Sequence, residues 1–117
     1  MLTQHHRFHG HGSLRYVYKN GEASRSHKIT IKAVTNPRRK HSRFAVVVSK
    51  KVLKSAVGRN RIRRRVYEIL RHELPRIQTP HDLAVMRFSS EVIAMPHDEL
   101  AAQIREQLTQ LGVYSES

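Results

Sequence analysis

The chain contains no cysteine, which excludes disulfides and thiolate metal sites together. It has no tryptophan, three phenylalanines and four tyrosines, so any core must be built mainly from aliphatic side chains. No stretch reaches the roughly 18–20 apolar residues that a membrane span requires. The first twelve residues, MLTQHHRFHGHG, lack the apolar run of a secretory signal. A cytoplasmic protein with no membrane partner is expected. Acidic residues are the scarcest functional group, nine Asp and Glu among 117 residues. Two-metal hydrolysis of a phosphodiester needs clustered carboxylates, and five of the six acids beyond residue 77 lie on or near the last predicted helix or the tail. The chain is therefore expected to carry no catalytic residue, no metal site and no small-molecule substrate site of its own.

What is abundant is positive charge. Lys and Arg number 22, for a formal net charge of +13. The distribution is uneven: residues 1–76 hold 20 Lys and Arg against three acids, whereas residues 77–117 hold two against six. Self-repulsion of that size disfavours a compact state unless a polyanion relieves it, and nucleic acid is the leading partner.

A length of 117 residues fits one domain. Residues 1–12 read as a His-rich basic arm, residues 13–112 as the folded domain and residues 113–117 as a tail. Ser13 is placed to cap a short helix over Leu14–Asn20, stopped by Gly21. Residues 27–34 alternate, with Ile29, Ile31 and Ala33 on one side and Lys28, Thr30 and Lys32 on the other. Phe44–Val48 is a continuous apolar run and predicts a central strand buried on both faces. A helix is predicted from Arg59 to Leu74, ended by Pro75, with an apolar stripe of Ile62, Val66, Ile69 and Leu70. Residues 82–88 predict a further strand. A last helix opens at Pro96 or Asp98, presents Leu100, Ile104, Leu108 and Leu111, and stops at Gly112. The class is α+β, one layer of sheet with helices against it.

The most informative stretch is SKKVLKSAVGRNRIRRR, Ser49–Arg65. It carries Lys50, Lys51, Lys54, Arg59, Arg61, Arg63, Arg64 and Arg65, with Asn60 among them, and not one acid. On the predicted helix Arg61, Arg64 and Arg65 fall away from the apolar stripe, so a rigid scaffold presents a comb of guanidinium groups suited to phosphates. A merely solvated helix face mixes signs and forms i,i+4 pairs; no such partner exists here before Glu68.

SKK, a spacer of seven residues and then RNRIRRRVYE resemble the signature of the bacterial ribonuclease P proteins. The glycine-ended early helix, the basic loop Asn36–Lys40, HELP after the motif and the final helix follow in the order of that family. The resemblance covers roughly residues 7–111 and implies a single domain of α-β-β-β-α-β-α order. Its four-stranded sheet would include a short strand near Ala23–Ser26, and its crossover would be left-handed, against the general right-handed rule. It also implies a function: an accessory subunit of an endoribonuclease that removes the 5′ leader of precursor tRNA. The partners would be a catalytic RNA, bound by Lys50, Lys51, Lys54, Arg59, Asn60, Arg61, Arg63, Arg64 and Arg65, and the precursor tRNA. The unpaired leader would lie in a cleft lined by Leu14, Tyr18 and Lys32, with Lys28 and Thr30 on the same face. At position 14 the family usually has an aromatic residue, where this chain has Leu14. Mg²⁺ would be bound mainly by the RNA.

The histidines at 5, 6, 9 and 11 invite a metal reading, but nothing near them supplies the second shell that fixes ligands. A structural RNA-binding protein of ribosomal type is the main rival function, since charge alone fits it equally. A DNA-binding factor is disfavoured, because no recognition helix follows another helix by a short turn.

Overall fold

The computed structural model describes residues 11–35, 42–77 and 80–114, with only the backbone of residues 11–14. His5, His6 and His9 lie outside the described residues, as do the whole of the basic loop Asn36–Lys40 and the side chain of Leu14. In chain order come α1 (His11–Asn20), β1 (Glu22–Arg25), β2 (Thr30–Thr35), β3 (Arg43–Val46), α2 (Ala56–Glu73), β4 (His81–Met86) and α3 (His97–Gln110). Short 3₁₀ turns occupy Leu74–Arg76 and Ser90–Ala94. The fold is α+β, a four-stranded mixed sheet with three α-helices among the described residues, in the expected α-β-β-β-α-β-α order.

The sheet runs β1-β2-β4-β3, with β3 and β4 parallel and joined through α2. The strand of Phe44–Val48 is therefore an edge strand, not the central one predicted. Central position belongs to β4, buried along its whole length. The prediction failed because helices cover both faces of the sheet, so an edge strand also carries an uninterrupted apolar run. Asp82 hid the centrality of β4. Its carboxylate is paired across the ladder with Arg43, which donates through Nε at 3.0 Å and Nη2 at 2.8 Å.

One sheet face packs Ile29, Ile31, Ala33, Phe44, Val46, Leu83 and Val85 against the stripe of α2 and against Leu100, Ile104 and Leu108 of α3. Among the described residues the other face packs against α1: Val17 sits on Ala45, Ala84 and Met86. Two alanines beneath the helix let it approach the sheet closely. Gly21 serves the same approach, since a Cβ there would stand 2.6 Å from Val17 O and 3.1 Å from Ala33 O. Its N–H donates to Val17 O at 2.8 Å and closes α1.

Helix boundaries shifted modestly. α1 begins before Ser13, which lies inside the helix. α2 starts three residues earlier than predicted, because the Ser55 hydroxyl accepts from the Gly58 N–H and caps it. The packed fold also continues past Gly112, whose positive φ of 70° turns the chain. Val113 is buried, and Tyr114 donates to the buried carboxylate of Glu73 at 2.7 Å. Burial and that hydrogen bond push the Tyr114 hydroxyl well above its ordinary pKa. The amide of Gln107, 2% exposed, donates to Ser24 O and Ile29 O, so α3 is tied to the β1–β2 hairpin from the core side.

Candidate RNA interface

The apolar stripe fixes how α2 lies. With Ile62, Val66, Ile69 and Leu70 buried against the sheet, Arg61 and Arg64 are left on the exposed face. Neither has a side-chain partner among the described residues. Lys50, Lys51 and Lys54 are exposed on the turns that lead into the helix. The first turn of α2 holds no acid, so the partial positive charge of the helix N-terminus adds to these cations rather than being offset. The local field favours an anion.

Four residues of the predicted comb are engaged within the protein. Arg59 donates through Nη1 to Leu53 O at 2.9 Å and Lys54 O at 2.8 Å, bracing the turn ahead of the helix. Arg63 donates to the Asn60 side chain. Arg65 reaches across to Met95 O at 2.5 Å and Val92 O at 3.4 Å, satisfying carbonyls at the Ser90–Ala94 turn. Helical periodicity grouped Arg65 with Arg61 and Arg64. It could not reveal that an exposed turn 27 residues further on comes within reach of only one of them.

The comb ends at Glu68, which accepts from Arg71 at 2.5 Å and lies 3.3 Å from His72. The Arg71 hydrogen bond is the main cause that lowers the Glu68 pKa to about 2.

Beside α1 the uncovered part of the sheet forms a cleft of about 330 Å³ lined by Tyr18, Lys32, Val47, Ser49, Met86 and Arg87. Tyr18 is 39% exposed. Lys32 donates to Tyr18 O at 2.9 Å, with its ammonium 5.7 Å from the centre of the Tyr18 ring, so cation and aromatic are held together in one wall. Of the other residues expected there, Thr30 is only 4% exposed and is covered. Lys28 is in the turn before β2 and lines a separate groove with Glu91, Met95, Pro96 and Glu99. Strict alternation placed Lys28 with Lys32, but regular strand begins only at Thr30. Leu14 lies on α1, its side chain outside the described residues.

Val47, Ser49, Met86 and Arg87 were missed. Arg87 adopts φ 54°, a left-handed conformation that is uncommon for a side chain of this kind. The sequence carried no signal for it, because the pairing of β2 with β4 is a long-range fact. Ser49 matters for continuity: it lines the cleft, and the next two residues are Lys50 and Lys51. Cleft and cation row are thus successive parts of one segment.

Among the described residues no helix is long and apolar enough to cross a membrane, and no group of three metal-ligating side chains is placed to hold an ion.

Comparison with known proteins agrees with this architecture. The sequence model of the family described as Ribonuclease P matches residues 2–112. A ribonuclease P protein component from Synechococcus sp. (strain RCC307) is 30% identical over 110 residues, covering 86% of this chain and 87% of that protein. One from Synechocystis sp. (strain ATCC 27184 / PCC 6803 / Kazusa) is 26% identical over 97 residues, covering 83% and 77%. Among solved structures, the Staphylococcus aureus RNase P protein superimposes with a TM-score of 0.83 at 22% identity, over 94% of this chain and 98% of that one. The Thermotoga maritima RNase P protein gives 0.71 at 20% identity, over 88% and 92%. With the motif segment, the fold and a family match over nearly the whole length in agreement, the chain belongs to the ribonuclease P protein family.

Proposed function

We propose that this protein binds the catalytic RNA of a ribonuclease P ribonucleoprotein together with the 5′ leader of precursor tRNA, and so assists endonucleolytic removal of the leader. The observation that carries the reading is the continuity of an acid-free cation row with an aromatic-walled cleft. Lys50, Lys51, Lys54, Arg61 and Arg64 are the residues that contact RNA phosphates. Arg59, Arg63 and Arg65 add charge; Arg59 and Arg65 also hold the turns on either side of the helix, and Asn60 orients Arg63. The cleft takes an unpaired strand: Tyr18 offers a face for a base, and Lys32 and Arg87 offer cations to the phosphates beside it.

In this reading the chemistry belongs to the RNA, whose phosphates hold Mg²⁺. The protein brings two polyanions together. A high concentration of divalent ions screens the same repulsion, so the contribution of fixed protein charge should shrink as Mg²⁺ rises. The test is a Mg²⁺ titration of precursor cleavage by the catalytic RNA, with and without protein, beside a protein-only control. Enhancement is expected to be largest at low Mg²⁺, with no cleavage by protein alone. Cleavage by RNA-free protein would overturn the assignment of chemistry to RNA. An enhancement independent of Mg²⁺ would remove the electrostatic mechanism.

A further inference from the structure

We infer that Arg25, on the outer strand β1, forms a distal phosphate subsite that extends the cleft for a longer single-stranded RNA leader. The inference rests on the reading of the cleft as a leader site.

The ladder register carries the argument. Arg25 pairs with Thr30, and Thr30 pairs with Met86. Residues directly opposite one another share a sheet face, so Arg25, Thr30 and Met86 form one row on the face that α1 covers only in part. Met86 lines the cleft. Thr30, between them, is buried. Arg25 stands two strand spacings from Met86, about 10 Å, and marks the far side of the same surface.

Arg25 is exposed and has no side-chain partner among the described residues. Glu22, the acid on its own strand, pairs with Ala33 and so belongs to the opposite face. Glu91 and Glu99 line the separate groove with Lys28. The platform beneath Arg25 is pinned: the Ser26 hydroxyl accepts from the N–H groups of Lys28 and Ile29, and Ser89 N donates to Lys28 O at 2.8 Å. The cleft is thus flanked by cations at both ends, Lys50 and Lys51 beyond Ser49 on one side and Arg25 on the other. An aromatic and apolar middle with cations at each end suits an extended strand with regularly spaced phosphates, longer than the cleft itself.

The experiment measures binding of precursor tRNAs, with leaders shortened one nucleotide at a time, to holoenzymes assembled with wild-type, Arg25→Ala or Arg25→Lys protein. With Arg25→Ala, affinity should stop rising at a shorter leader, with a loss of about tenfold for the longest leaders, the size of one charge-assisted contact. Short leaders should bind as in wild type, and Arg25→Lys should recover most of the loss. An equal loss at every length, mature tRNA included, overturns the inference, and so does no loss at any length. Tyr18→Ala and Lys32→Ala separate the two claims. If they too are indifferent to the leader, the reading of the cleft fails; if they respond and Arg25→Ala does not, the distal subsite alone fails. Unchanged thermal melting of Arg25→Ala confirms that folding is not being read.

Discussion

The two halves of α2 are built from similar residues and are electrostatic opposites. Toward its N-terminus, Arg61 and Arg64 face water, as do Lys50, Lys51 and Lys54 on the turns before it, with no ion-pair partner among the described residues. Toward its C-terminus the cations are matched: Arg71 with Glu68, and Arg76 with Glu73 at 3.1 Å. Glu73 is buried, and it also takes Tyr114 and faces Arg105 at 3.9 Å. The guanidinium of Arg76 lies 4.1 Å from the centre of the Tyr114 ring. The second half uses charge to close the fold. The first leaves it available, at a cost in like-charge repulsion that a bound polyanion removes.

The strongest way to break this contrast is the triple variant Lys51→Ala, Arg61→Ala, Arg64→Ala. Affinity for the catalytic RNA should fall and its dependence on salt should flatten, by about 0.7–0.9 in the slope of log K for each phosphate that is no longer neutralised. Thermal stability should hold or rise slightly, because repulsion has been relieved. Filter binding across a salt series, with a melting curve for each protein, checks both. A destabilised triple variant with an unaltered slope would reverse the roles assigned to the two halves.

Arg65→Ala sharpens the contrast at the boundary. This arginine holds carbonyls at the Ser90–Ala94 turn, so its removal should lower stability by about 1 kcal/mol and leave the salt slope near that of wild type. Urea unfolding and the same binding series distinguish it from Arg64→Ala, for which the reverse pattern is expected.

The smallest effect is a pH dependence confined to the C-terminal half. The folded pKa of Glu68 is lowered to about 2 from an ordinary 4.5. Its pairing with Arg71 therefore contributes fully above the ordinary value and is lost as pH falls through about 2. The pair is exposed, so the contribution is small. Melting temperatures of wild type and Glu68→Gln should differ slightly near neutrality and converge across that window. A difference that widens toward acid would show that Glu68 does not carry it.

Much of this was legible in the sequence because it is local. The stripe Ile62–Val66–Ile69–Leu70 sets how α2 lies, and with it the outward direction of Arg61 and Arg64. Pro75, Gly21 and Gly112 sit at or just beyond helix ends. The order of elements followed from the resemblance carried by SKK and RNRIRRR. What could not be read was long-range. Strand order depends on which strand α2 delivers beside β3, and the apolar runs of an edge strand and a central strand look alike when both faces are covered. The engagement of Arg65, the burial of Thr30 and the presence of Arg87 in the same cleft as Lys32 all arise from the meeting of distant segments. The short strand β1 has one buried residue in four and offers no periodicity to detect.

The tight turn at Gly21 bears on how fast a strand could enter the cleft. A carbonyl of α1, Val17 O, and one of β2, Ala33 O, stand close to where a Cβ would be, so main chain packs on main chain where α1 ends and sets the gap there. The width of the slot is fixed when the chain folds. The loss of conformational freedom has then already occurred before RNA arrives, and ordering α1 adds no further entropic penalty to binding. Encounter should be governed by diffusion and by the pull of the surrounding charge, with no slow opening step ahead of it.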